Sequence, residues 1–111
     1  MNTNPKTIKI YRAENGKEPF VEWINSLPVK DRARIFARLD RVETGNTGDH
    51  KSLGDGVWEL RFYFGPGYRI YYGEIGAAIV LLLSGGDKSS QKRDVKRAKI
   101  LWENRLKRRE P

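Results

Sequence analysis

Along the chain the hydrophobic positions change period several times, and each change predicts an element. Ile8 and Ile10 alternate with polar neighbours between Thr7 and Arg12, which predicts a half-buried first strand that Asn15-Gly16 then turns. From Pro19 the spacing lengthens. Phe20, Trp23, Ile24 and Leu27 recur three and four residues apart behind a proline suited to a helix's first turn. Pro28 separates this segment from the next, Val29 to Thr44, where Val29, Ile35, Phe36, Leu39 and Val42 form one stripe and Gly45 sits where a C-cap belongs. A pair of packed helices is therefore predicted after the first strand.

The second half reads mainly as strands. Lys51-Ser52-Leu53 suggests a short one inside the glycine-bearing connection from Asn46 to Gly56. In Val57 to Phe64, Trp58, Leu60, Phe62 and Phe64 point one way and Val57, Glu59, Arg61 and Tyr63 the other. Gly65-Pro66-Gly67 marks a tight turn, and Tyr68 to Glu74 is the returning strand. A loop centred on Pro66 pairs Tyr63 with Arg69 and Arg61 with Tyr71, so that these four share a polar face while Leu60, Phe62, Ile70 and Tyr72 share the core face. A one-residue slip would bury the charge of Arg69 opposite Phe62. Ala77 to Ser84 is apolar on both faces and predicts a central covered strand, broken by Gly85-Gly86. Ser89 or Ser90 is placed to cap a last helix with Val95, Ala98, Leu101, Trp102 and Leu106 as its apolar stripe.

Length and composition narrow the picture further. A chain of 111 residues has room for one core, and 38% hydrophobic residues with 11% aromatic residues suffice to fill it. One domain over residues 1–111 is expected. With no cysteine and only His50, neither a disulfide framework, thiol chemistry nor a multi-histidine metal site is expected. The longest apolar run, Ala77 to Leu83, is far short of the roughly 20 residues that span a bilayer. The polar start, Met1 to Lys6, lacks a signal-peptide core, so a cytoplasmic setting is expected.

Charge is distributed unevenly. The net charge is +8, and all of it resides between Lys88 and Arg109, where ten Lys and Arg residues face only Asp94 and Glu103. Such a tail suits a polyanion such as RNA or an acidic protein, and is equally consistent with a solvated helix face. A sheet face carrying Arg61, Tyr63, Arg69 and Tyr71 combines guanidiniums that hold phosphate with rings that stack bases, which suits single-stranded RNA; the same residues also suit a solvated sheet or a protein contact.

The runs Trp58-Glu59-Leu60-Arg61 and Gly67-Tyr68-Arg69-Ile70-Tyr71-Tyr72, then Leu83-Ser84-Gly85-Gly86-Asp87-Lys88 and Asp94-Val95-Lys96-Arg97-Ala98-Lys99, occur in an order and spacing that resembles the RelE/ParE superfamily. Within it the chain is most similar to the HigB-like, phage-derived (Gp49-like) addiction-module killer proteins. The resemblance implies an α+β fold, with an N-terminal strand and a helical hairpin packed on a mainly antiparallel sheet and a basic C-terminal helix. It also implies the toxin of a type II toxin–antitoxin module, a metal-independent and cofactor-free endoribonuclease that cuts mRNA in the ribosomal A site and inhibits translation. The alternative within the superfamily is a ParE-like inhibitor of DNA gyrase, or a binding module without catalysis. The partners implied are mRNA, the ribosome and a helix-turn-helix antitoxin, with no membrane and no sequence-specific DNA binding by the chain alone.

Cleavage of this kind needs a base for the attacking 2′-hydroxyl, cations for the phosphorane and an acid for the leaving oxygen. Arg61 and Arg69 match the family's phosphate-binding arginines and Lys88 its basic position before the final helix. Tyr63, Tyr71 or Glu59 is left for proton transfer. Lys51, Lys92, Arg93, Lys96 and Arg97 are the expected RNA-backbone contacts. Two departures stand out: Glu59 replaces a lysine found in nuclease members, and the tyrosine that some of them use near the last helix has no counterpart here. His50 precedes Lys51 in a loop where some HigB-like members use a histidine.

Overall fold

A computed structural model describes residues 4–108, so that Arg109 and residues 1–3 of the polar N-terminal segment lie outside the described residues. The elements run β1 (Thr7–Ile10), α1 (Pro19–Asn25), α2 (Val29–Glu43), β2 (His50–Gly54), β3 (Val57–Arg61), β4 (Tyr68–Ile75), β5 (Ile79–Asp87), a 3-10 turn (Lys88–Ser90) and α3 (Gln91–Arg108). The strands form one sheet in the order β1-β5-β4-β3-β2. Only β1 runs parallel to its neighbour, β5; the other pairs are antiparallel. This is the α+β architecture that the pattern predicts, compatible with a RelE-like fold.

The sheet is covered on both faces, which explains why β4 and β5 have apolar residues at successive positions. Ile24, Ile35, Leu39 and Val42 from α1 and α2 pack with Leu60, Ile70, Tyr72, Val80 and Leu82 on one face. Ala98 and Trp102 of α3 pack with Val57, Tyr71, Leu81 and Leu83 on the other. The odd and even positions of β5 thus serve two cores, and a bulge at Tyr71/Tyr72 sets Leu83 and Ser84 on the same side.

Three expectations are corrected. The β3–β4 hairpin pairs Arg61 with Arg69 and Glu59 with Tyr71, two residues from the predicted register, because β3 ends at Arg61 and the connection is wider than a tight turn. Phe62 still donates its N–H to the Tyr68 carbonyl at 3.1 Å, but beyond it the pairing ends, and Phe62, Phe64 and Tyr68 form an edge-to-face series at centroid separations of 5.9 and 5.6 Å. A shift of two preserves the facing of every side chain. Gly85 and Gly86 do not break β5 but lie within it, because Trp23 of α1 and Asp94 of α3 occupy the space that a Cβ at each would need. Finally, Asp87 rather than a serine caps the turn into α3, its carboxylate accepting from the Ser89 N–H at 2.8 Å.

Candidate functional site

On the α3 side of the sheet, cross-strand pairing lines up Lys51, Glu59, Tyr71 and Ser84 in one row and Arg61, Arg69 and Gly86 in the next. The Arg61 N–H donates to the Asp49 carbonyl at 3.0 Å, extending the second row to the chain just before β2. The sequence pattern leads one to expect an open polar face. Instead, α3 covers most of it: Tyr71 is fully buried, Glu59 is 1% exposed, and Ser84 and Arg69 are buried with them. The cover forms because Ala98 and Trp102 bring their apolar stripe down on Val57 and Tyr71, and Trp102 fills the space above Gly73.

Glu59 is the centre of the covered part. One carboxylate oxygen lies 3.6 Å from Arg69 Nε and the other 3.7 Å from Arg61 Nε. The first also accepts a hydrogen bond from Gln91 Nε2 of α3 at 2.7 Å. A charge so deeply buried needs partners of this kind. Arg69 in turn donates through Nη1 to the carbonyls of Gly67 and Tyr68, each at 3.1 Å, so its guanidinium shapes the end of the hairpin.

Arg61 reaches the surface, with 31% of its side chain exposed, and lies 3.8 Å from Asp49 Oδ2. Tyr63, beyond the strand end and well exposed, donates its hydroxyl hydrogen to the same carboxylate. Lys88 is exposed where β5 leads into α3, and packs its stem beside Gly67, where a Cβ would lie 3.4 Å from Lys88 Cβ and 3.7 Å from Arg69 Nη1. Arg61, Arg69 and Lys88 therefore converge on one end of the sheet, with Lys51 exposed on the neighbouring strand. Glu59 and Asp49 lie against arginine, and two further carboxylates stand at this end: Asp87, paired across to Tyr68 and next to Lys88, and Asp94, which packs against Gly86.

The basic residues of α3 divide between two flanks. Lys99 lies 3.3 Å from Asp55 in the β2–β3 turn, and helical spacing puts Lys92 and Lys96 on that side, toward Lys51. Arg93 and Arg97 line a groove on the other side with Trp23 of α1 and Leu27 just beyond its end. The five expected backbone contacts thus do not form one surface.

Titration behaviour separates the two tyrosines. The hydrogen bond to Asp49 raises the Tyr63 pKa and lowers that of Asp49. Burial first, and then the charge of Glu59, push Tyr71 well above the ordinary tyrosine range. Both hydroxyls therefore keep their protons at neutral pH; Tyr63 donates to Asp49, whereas the buried Tyr71 hydroxyl has no hydrogen-bond partner among the described residues. His50 pairs with Leu60 on β3, places its ring 5.7 Å from Trp58 and faces the helical hairpin, away from Arg61.

Asp49 and Gln91 belong to this constellation although sequence reasoning missed them. Asp49 is signalled only by standing two residues before Lys51, at strand spacing, and Gln91 by lying one helical turn before Val95 of the apolar stripe. Arg38 of α2 is also missed: its guanidinium donates to the carbonyls of Arg61, Thr47 and Asp49 and ties the loop before β2 to the end of β3.

Residues 22–107 match the family described as Phage derived protein Gp49-like (DUF891), and the chain belongs to that family of RelE-like toxin and addiction-module proteins. An uncharacterized protein of Haemophilus influenzae (strain ATCC 51907 / DSM 11121 / KW20 / Rd) is 46% identical over 83 residues, covering 74% of this chain and 84% of the relative. Such a family typically pairs with an antitoxin. Among the described residues no helix is long and apolar enough to cross a membrane.

Proposed function

We propose that this protein is the toxin of a type II toxin–antitoxin module and that it cleaves mRNA on the ribosome, without a metal ion, to inhibit translation in the cytoplasm. The observation that carries the reading is the convergence of Arg61, Arg69 and Lys88 at one end of the sheet, with Lys51 beside them. Arg61 and Lys88, both reachable from solvent, bind the scissile phosphate and stabilise the phosphorane. Arg69 holds the hairpin end that presents Arg61. The Asp49 carboxylate, exposed and adjacent, takes the 2′-hydroxyl proton, and the Tyr63 hydroxyl is the donor for the leaving 5′-oxygen. Tyr71 supports this end of the sheet from beneath α3 rather than meeting RNA. Lys92 and Lys96 extend the cationic flank along α3. A helix-turn-helix antitoxin is the proposed partner.

One observation favours a second reading. Glu59 already stands as counter-charge between the two arginines, an arrangement suited to a protein-binding toxin of the ParE type that inhibits DNA gyrase, or to a module without catalysis. Induced expression with 5′-end mapping of cellular mRNA, wild type beside Arg61→Ala, separates the readings. New ends within translated codons, lost together with growth arrest in the variant, support the nuclease. Arrest without new ends, accompanied by DNA-damage signals, moves the protein to the gyrase class.

A further inference from the structure

The outer face of α2 meets the end of β3 in an open groove that shares Arg61, Asp49 and Tyr63 with the constellation above and extends it onto α2. Its walls are guanidiniums and rings: Arg34, Arg38 and Arg41 from α2, Arg61 from β3, and Phe62, Tyr63 and Phe64 beyond it, with Asp49 as the acid among its lining residues. These arginines differ in what they already hold. Arg38 is committed to three backbone carbonyls and lies over the Phe62 ring at 4.7 Å. Arg34 has its guanidinium stacked 3.8 Å above the centre of the Phe64 ring, which leaves the edge of the fork for another partner. Arg34 and Arg41 are both exposed, and among the described residues neither forms an ion pair.

The groove is therefore rich in uncompensated positive charge, and no aliphatic side chain lines it. A protein helix docking there would find no apolar pocket for its anchors, whereas a nucleic-acid strand offers phosphates to the forks and flat faces to the rings. Resting on the nuclease reading above, we propose that this groove is a subsite for single-stranded RNA next to the Arg61 site, with Arg34 and Arg41 as its phosphate ligands. The strand then runs from α2 across the end of the sheet toward Lys88. This explains why the cations needed to hold RNA sit on both sides of Arg61 and not only on the basic tail.

The test is binding of a single-stranded RNA of about 12 nucleotides, 2′-O-methylated to prevent cleavage, read by fluorescence anisotropy over a range of salt around 0.1 M. Wild type is compared with Arg34→Ala/Arg41→Ala, with Arg41→Glu alone, and with Arg61→Ala. The double variant is expected to bind about tenfold more weakly, and its log-affinity against log-salt slope to fall by about 1.4, because each lost phosphate contact on a single strand removes about 0.7. Arg41→Glu changes only an exposed side chain but places an acid in the last turn of α2, so it is expected to weaken binding with a slightly lowered melting temperature and an unchanged far-ultraviolet circular dichroism spectrum, which guards against misfolding as the cause. Unchanged affinity and slope in both groove variants, while Arg61→Ala weakens binding, would overturn the subsite and leave the nuclease reading standing. If wild type ignores RNA but binds poly-glutamate through Arg34 and Arg41, the groove is a protein dock, and both the subsite and the RNA reading fail.

Discussion

Glu59 shows how far one residue's role depends on its surroundings. In the sequence it is a polar residue on a strand face; in the fold it is an almost fully buried anion between Arg61 and Arg69, held from above by Gln91. Replacing it by Gln keeps the shape but leaves the buried Arg69 without its counter-charge, while Arg61 keeps Asp49. Removing one partner of a buried pair costs about 3–5 kcal/mol, so the urea midpoint of Glu59→Gln is expected to fall substantially. A midpoint unchanged from wild type would mean that solvent reaches the cluster. Tyr63 and Tyr71 make the complementary point. They have the same residue type and the same strand parity, yet one is exposed beside Asp49 and the other is sealed beneath a helix.

At the level of elements, α3 and β5 decide most of the site. Periodicity alone shows that α3 has an apolar stripe, and its basic face is equally plain. Which face of the sheet the stripe covers follows from Gly73, Gly85 and Gly86, the positions where the strands admit Trp102, Trp23 and Asp94. A methyl group at Gly85 has nowhere to go except into the Trp23 ring. Gly85→Ala is accordingly expected to destabilise by about 1–3 kcal/mol, measured by thermal or chemical unfolding, through overpacking between α1 and β5. A loss below a few tenths of a kcal/mol would show that α1 can shift away without cost. The hairpin teaches a similar lesson: parity was legible because apolar and polar residues alternate, but register was not, since it depends on the width of the loop, where Phe62, Phe64 and Tyr68 pack edge to face.

For the molecule as a whole, the two-sided burial of the sheet has a pH signature. Tyr68, buried and donating to Asp31 at 2.6 Å, has its pKa raised to about 12, chiefly by burial, and Tyr71 and Tyr72 are raised from the same leading cause. A raised tyrosine pKa means that the native state holds the proton more tightly than the unfolded chain does. The associated stability is therefore fully present below the ordinary value near pH 10 and is lost as pH climbs from there through about 12. Stability is expected to be level from about pH 7 to 9 and then to fall by at most about 1.4 kcal/mol per pH unit for each such tyrosine. Tyrosinate absorbance should rise together with the loss of helical circular dichroism. Tyrosinate appearing well before any loss of structure would show that these hydroxyls are open to solvent in the native state.

Local pattern by itself determined the order and type of the elements, the one-sided parity of β3, and the concentration of positive charge at the C-terminal end, because strand and helix periods and side-chain charges are properties of neighbours in the chain. The family resemblance was legible for the same reason, in runs such as Gly67-Tyr68-Arg69-Ile70-Tyr71-Tyr72. Only the tertiary structure decided which polar residues remain open. Whether Arg69 and Tyr71 face solvent or a helix depends on where α3 settles, and that is fixed by the packing of Ala98 and Trp102 against strands some 15 to 45 residues earlier in the chain. The pairing of Asp49 with Arg61 and Tyr63, and the division of the basic residues between two flanks of α3, arise likewise from contacts between distant segments.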